Sequence, residues 1–319
     1  MDALSDVLRV IRMKGGVFLQ AQFTAPWCVS SEVGPEDCRA LLNGADHLVL
    51  YHYVVEGSLK AQMAAGGDVV EIGPGQVFML PHNDRHLLGS DTRLPPVSTS
   101  GLIKAAPEGG LWEIRHGGGG RQTRIVCGFL GCDRMKGNPL IDALPPMLTF
   151  DTQQESIAAW IRGSLEFAAN ELSVLRAGSA TVLARLSELL FVEALRRYVD
   201  GLAPEQTGWL AGLRDPAVSR ALSLLHRRVA DPWTVDDLAR QVGLSRSALA
   251  DRFTRMIGEP PMHYLARWRL QVAAHDLRHT DAPLAHIARG VGYESETAFN
   301  RAFKREFGTP PATWRRSRP

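Results

Sequence analysis

The stretch "LARQVGLSRSALADRFTRMIGEPP", residues 238–261, returns further along the chain as "IARGVGYESETAFNRAFKREFGTPP", residues 287–311. Ala239 matches Ala288 and Gly243 matches Gly292 at an offset of 49; after one inserted residue, Phe253 matches Phe303, Arg255 matches Arg305, Gly258 matches Gly308, and Pro260-Pro261 matches Pro310-Pro311 at an offset of 50. Chance does not place that many identities in so short a span, so the C-terminal third contains one structural unit twice. Each copy reads as helix, tight turn, helix. The small Ala lets the first helix approach its neighbours closely, the Gly suits a turn with positive φ, and Ser245 or Ser295 is placed to cap the second helix. Thr234 with Asp237 three residues on resembles a capping box at the start of the first helix.

Between the copies, "PMHYLARWRLQVAAHDLRHT" has no internal breaker and predicts one helix from Pro261 to about His279. About 18 residues at 1.5 Å each span roughly 27 Å, which could hold the two units near the ~34 Å repeat of successive major grooves of double-stranded DNA. Charge agrees. Residues 216–319 carry 17 Lys+Arg against 10 Asp+Glu, a net of +7, whereas residues 1–215 carry 19 against 24, a net of −5. The basic third is therefore the part that meets a polyanion.

In a helix-turn-helix the second helix presents its N-terminal side chains to base edges. With Leu249 and Phe253 inward, the first copy offers Arg246, Ser247, Ala250 and Asp251; with Phe299 and Phe303 inward, the second offers Glu296, Thr297, Asn300 and Arg301. Arg301 is the strongest candidate for a guanine, because a guanidinium bonds O6 and N7 together. Lys304, Arg305, Arg315 and Arg316 are candidates for phosphates.

The rest of the chain changes period. Leu4, Val7, Leu8 and Ile11 fit a short amphipathic helix. "HLVLYHYVVEG", "DVVEIGPGQVFML" and "RQTRIVCGFL" read as strands between Gly/Pro turns, so residues 17 to about 132 predict an antiparallel sandwich or small barrel. Helical periodicity resumes with Ile157, Trp160, Ile161, Leu165 and Phe167, then with Val182, Leu183, Leu186, Leu189, Leu190, Val192 and Leu195. The second of these helices is apolar around so much of its circumference that it needs two partners: the barrel on both faces, or the barrel and a second copy of the chain. "GLAPEQTGWLAGLRDP", residues 201–216, reads as a linker. The expected organisation is α+β: a barrel over 1–150, a helical hairpin over 151–202 that dimerises, a linker over 203–215, and an all-α tandem helix-turn-helix domain over 216–319. No apolar run approaches the ~18 residues of a membrane span, the N-terminus is charged where a signal peptide is apolar, and the four cysteines Cys28, Cys38, Cys127 and Cys132 are too few for a disulfide scaffold. A cytoplasmic, unprocessed chain is expected.

"LPHNDRHLL", residues 80–88, sets His82 and His86 four residues apart. With His52, whose face of its strand also carries Leu50, Val54 and Glu56, and with Cys127, these are candidates for an effector or a metal. Three imidazoles and a thiolate suit Zn²⁺, with Fe²⁺ or Ni²⁺ also conceivable. Pocket histidines without metal, and merely structural histidines, are equal alternatives. The glycine run 117–120 lacks the Lys-Ser/Thr and the strand-loop-helix setting of a phosphate loop and reads as a plain loop.

The repeat resembles the AraC/XylS family of bacterial transcription regulators, with the second-copy signature nearly complete as "IARGVGYESETAFNRAFKREFGTPPATWR". Residues 1 to about 200, through "APWCV", "YHYVVEG", "GPGQVFMLPHNDRHLL", "IVCGFL" and "PLIDALPP", look like the cupin sensor domain of a subgroup of those regulators. The resemblance implies a DNA-binding transcriptional regulator, activator or repressor, that responds to a small effector or stress signal, with DNA, RNA polymerase, a small-molecule effector and a second copy as partners and with no catalysis. Ala250 and Asp251 depart from the larger polar or basic residues common there, so the first unit relies more on Arg246. The resemblance also raises cysteine-based oxidant sensing, with Cys127 in place but no cysteine before Trp27. An alternative from another class is a metal-dependent cupin enzyme with an appended DNA-binding domain; enzymatic cupins usually show a His-x-His pair where this chain has Leu50 and His52.

Overall fold

The computed structural model describes residues 2–11, 18–31, 47–104, 112–132, 139–151 and 178–316, together with positions 13, 15, 33, 163, 164 and 167. These fall into two compact units: 13–133 with 144–197, and 1–12 with 134–143 and 198–319.

The first unit is built from two facing sheets. One has the order β11-β6-β3-β10-β1-β9, with β1 Phe18–Thr24, β3 His47–Glu56, β6 Gln76–Leu80, β9 Trp112–Gly117, β10 Gln122–Cys132 and β11 Leu148–Asp151. The other has the order β5-β4-β7-β2-β8, with β2 Cys28–Ser31, β4 Leu59–Met63, β5 Val70–Ile72, β7 His86–Gly89 and β8 Val97–Ser98. The layout is the sandwich form of the expected β domain, with two open sheets in place of a closed barrel. Nor is it wholly antiparallel, since β9 runs parallel to β1 and β8 parallel to β2.

Strand β3 is buried over seven consecutive residues, Leu48–Val54. Alternation alone would bury every second one; here both faces are covered. Leu48, Leu50 and Val54 face the core between the sheets, with Leu19, Phe23, Phe78, Leu88, Ile125 and Phe129. Tyr51 points the other way and hydrogen-bonds Ser187 at 2.8 Å. Its ring fills the space above Gly128, where a Cβ would lie only 2.3 Å from it. Ser187 belongs to the helix Ser179–Gly201 (α2). Leu183, Leu190, Phe191, Ala194 and Leu195 of α2 are buried, whereas Val182 and Leu189 are 42% and 50% exposed. One face of α2 thus packs within its unit and an apolar stripe at i, i+7 is left outside. The preceding candidate helix lies outside the described residues except for Phe167, which is helical and exposed.

The second unit is helical. Helix α1, Ala3–Ile11, belongs here and not with the sheets: it buries Ala3, Asp6, Val7, Val10 and Ile11 and packs on α4, Pro216–Arg227, and α7, Pro261–His279. The span expected as linker holds a short buried helix, α3 Trp209–Gly212, because the Trp209 indole donates to the Tyr264 hydroxyl at 2.9 Å. Each repeat forms its helix pair. The first is α5 Val235–Val242 and α6 Arg246–Ile257; the second is α8 Leu284–Gly290 and α9 Glu296–Phe307, followed by α10 Pro311–Arg316. The local signals act as read. Thr234 accepts from the amide of Asp237 at 3.1 Å, and Ser245 and Ser295 accept from the amides of Ala248 and Ala298 at 3.2 Å each. Gly243 and Gly292 turn at φ 75° and 83°. Pro261 opens α7, and Leu249, Phe253, Phe299 and Phe303 are fully buried.

Candidate nucleic-acid interface and sensor cavity

Fixing Leu249 and Phe253 in the core turns the rest of α6 outward. Arg246, Ser247 and Asp251 are exposed and Ala250 is half-buried. On α9, Glu296, Thr297, Arg301, Lys304 and Arg305 are exposed and Asn300 is half-buried. The caps leave the first-turn amides of both helices at the same end as these side chains, where a helix N-terminus attracts phosphate.

The cations differ in their commitments. Arg246 lies 3.4 Å from Asp236, and Arg252 of the same helix lies 2.6 Å from Asp215. Arg301, Lys304 and Arg305 have no ion-pair or hydrogen-bond partner among the described residues. Arg316, exposed, donates to the Thr313 hydroxyl at 3.4 Å. Arg315, expected on phosphate, is half-buried and donates to the Ala282 carbonyl at 2.5 Å. That bond ties α10 to the segment before α8 and takes the guanidinium out of the outward set.

Sequence reading missed Arg269 altogether. On α7, its Nε donates to the Val229 carbonyl at 2.8 Å, its Nη2 to the Asp231 carbonyl at 2.6 Å and its Nη1 to the Gly292 carbonyl at 3.5 Å. An arginine inside a long helix looks like a solvated charge in sequence, and the only signal available was its distance from both turns. Beneath the first pair, the Tyr264 hydroxyl lies 2.7 Å from His226 Nε2 and the His226 ring stacks on Trp268 at 4.2 Å. Burial pushes His226 down to about 3, so it is neutral and accepts the Tyr264 proton.

In the sheet unit the four sensor candidates separate. The β3–β10 register sets His52 opposite Cys127, and His52 Nδ1 is 2.9 Å from Cys127 Sγ. His86, on the opposing sheet, meets the His52 ring edge-on at 5.5 Å and donates from Nδ1 to the Asp84 carbonyl at 3.0 Å. His82 Nε2 instead donates to the Leu144 carbonyl at 2.9 Å, because it lies in the turn before β7. Burial drives His52 well below its ordinary pKa and His86 down to about 4, and it raises the Cys127 thiol. The cluster is uncharged: two neutral imidazoles and a protonated thiol.

Metal binding turns on the donors. Among the described residues the buried Nε2 atoms of His52 and His86 have no hydrogen-bond partner, and no three His, Cys, Asp or Glu side chains converge as metal ligands. With His82 held by the Leu144 carbonyl, the expected His52, His82, His86 set is not assembled among the described residues. Cys28, Cys127 and Cys132 are buried, and burial raises Cys28 as well as Cys127; low-pKa exposed thiolates are what oxidants select. Cys38 lies outside the described residues.

What remains is a cavity between the sheets of about 30 Å³. Leu19, Ala21, Phe23, Leu50, Ile125 and Phe129 make most of its wall, and His52, Cys127, Ser31 and Thr99 supply the polar atoms. At ~10–15 Å³ per water it has room for about two.

The Cupin family profile matches residues 2–200, and the Helix-turn-helix domain profile matches residues 238–317. The chain is 31% identical to an AraC-like transcription regulator of Streptomyces lividans over 99% of its own length and 98% of the relative's. It is 30% identical to the HTH-type transcriptional regulator AlkR of Acinetobacter baylyi, over 99% of each chain. Against the RCS-specific HTH-type transcriptional activator RclR of Escherichia coli it is 26% identical over 99% of its length and 97% of the relative's. Two capped helix-turn-helix pairs on one side of the sequence, a two-sheet domain on the other, and full-length relatives of one kind converge: the chain belongs to the AraC-type transcription regulators that carry an N-terminal cupin domain.

Proposed function

We propose that this regulator reads two successive major grooves of double-stranded DNA with α6 and α9, and that occupancy of the cavity between the sheets changes that binding. The observation that carries the reading is the matched pair of Ser-capped helices whose outward faces hold Arg246, Ser247 and Asp251 on one and Glu296, Thr297, Asn300 and Arg301 on the other. Lys304, Arg305 and Arg316 take phosphates. The effector is small and mostly apolar with one polar group for His52, since a wall of aliphatic and aromatic side chains rewards little else. With space for about two waters, the sheets must part to admit it.

The chain acts in the cytoplasm as a homodimer through the Val182 and Leu189 stripe of α2, and as an activator it contacts RNA polymerase. No helix among the described residues is long and apolar enough to cross a membrane. The sheet unit senses and does not catalyse: burial holds His52 and His86 low and the Cys127 thiol high, so the His52–Cys127 pair is not poised as a thiolate–imidazolium nucleophile. Division into a sensor, a connecting segment over 203–215 and a reader follows the same reading.

Footprinting on the chain's own promoter region tests it: two protected major-groove segments about one helical turn apart on one face of the duplex are expected. Absence of binding to any such DNA at low salt would sink the reading. Filling the cavity by Ala21→Leu should leave the footprint in place and abolish its response to inducing conditions; an unchanged response would remove the cavity from the mechanism.

A further inference from the structure

The two reading helices work as one ruler only if the two units keep a fixed distance and twist, and α7 alone does not fix twist about its own axis. We propose that Arg269 is the positioning residue that locks the first helix-turn-helix pair to the second, acting with Gly292 as a specificity determinant for half-site spacing; this rests on the two-groove reading above. The guanidinium sits on α7 between the segment joining α4 to α5 and the turn joining α8 to α9. It bonds Val229 and Asp231 on the first side and Gly292 on the second. A planar five-donor fork can hold three carbonyls from two segments at once, which an ammonium on a flexible stem cannot do with the same geometry.

Gly292 closes the junction from the other side. A methyl group there would lie 2.7 Å from the Ala230 carbonyl oxygen and 2.8 Å from the Arg269 guanidinium. So the turn of the second unit abuts backbone of the first unit, with Arg269 wedged against both. The matching turn glycine, Gly243, has open space where its Cβ would be. Both glycines turn at positive φ, yet only Gly292 needs to lack a side chain for packing as well.

The test uses the full chain and a duplex that it selects from random sequence. Three targets are compared: the full site, the full site with one base pair inserted between half-sites, and the isolated second half-site. The insertion turns one half-site by about 34° and moves it about 3.4 Å, so wild type should lose about tenfold or more in affinity. Arg269→Met should bind the full site about tenfold more weakly, the inserted site within about twofold of that, and the half-site unchanged. Arg269→Lys should restore part of the spacing preference. Gly292→Ala should reproduce the Met variant, and combining the two should add little, because both open one junction; it carries the test if Arg269→Met does not fold. Either an undiminished spacing preference in both variants, or a half-site loss as large as the full-site loss, would overturn the proposal. A wild-type chain that selects no duplex would overturn the two-groove reading itself.

Discussion

The two helix-turn-helix units share their turn glycines and the serine caps of their reading helices, and spend their charges differently. In the first, Arg246 and Arg252 are already paired with Asp236 and Asp215, and Asp251 faces outward beside them. In the second, Arg301, Lys304 and Arg305 are exposed and uncommitted among the described residues. The floors differ too. Beneath the first unit lies a polar chain, Trp209 to Tyr264 to His226; beneath the second lie Phe303, Phe307 and Trp314, with ring centroids 4.6 to 5.8 Å apart. Duplication therefore preserved caps, turns and apolar knobs, which make the shape, while the two copies diverged in what they offer a duplex and in what can titrate under them.

The largest expected difference is in acid. His226 has a native pKa of about 3 against ~6.5 in the unfolded chain, so between those values the unfolded chain takes up a proton that the native one refuses. The part of stability that depends on His226 is whole above pH 6.5 and falls by about 1.4 kcal/mol for each unit from there down to about pH 3. Asp6 of α1, whose carboxyl burial raises, works in the opposite direction. Hydrogen exchange corrected for its intrinsic rate should show α4 and α7 losing protection at pH 5 before α9 does, and His226→Gln, which keeps an acceptor for Tyr264, should flatten the effect. Simultaneous loss in both units would erase the distinction between their floors.

Next comes the readout. Arg301→Ala should cost about 1–3 kcal/mol in DNA binding and relax preference at one base pair. Arg246→Ala should cost less, since an exposed pair with Asp236 is worth about 0–1 kcal/mol and must first be given up. Equal losses in a titration of both variants would show that the units read with equal weight. The smallest contrast should be none at all: Ser245→Ala and Ser295→Ala each remove one cap bond of 3.2 Å, so thermal unfolding should report about 1 kcal/mol for either. A marked inequality would mean that the shared backbone signals are not shared in energy.

What could be read without a structure follows the range of the forces involved. Caps, positive-φ glycines and apolar knobs act within one turn of helix, so Thr234 in the first copy, and Ser245, Gly243, Phe253 and their counterparts in both, were legible in order. Sheet pairing acts across the chain. That His52 faces Cys127, 75 residues away, is a matter of β3–β10 register, and no local pattern specifies that β9 lies parallel to β1. The four-residue spacing of His82 and His86 suggested a shared site, but a turn and a strand do not keep helical neighbours together, and His82 went to a backbone carbonyl. The amphipathic pattern of residues 4–11 announced a buried face without saying what would cover it. Charges were the least legible: Arg269 and Arg315 read like Arg301 in sequence, and only their backbone partners distinguish them.

The placement of α1 has a consequence for how this polypeptide is made and dissected. It is synthesised ahead of the sheets, yet its apolar side, Val7 and Ile11 with the buried Asp6, has to wait for α4 and α7, more than 200 residues later in the chain. A reader fragment cut at the start of the helical third would be missing a helix of its own packing, and adding residues 2–11 back as a separate peptide should raise its melting temperature.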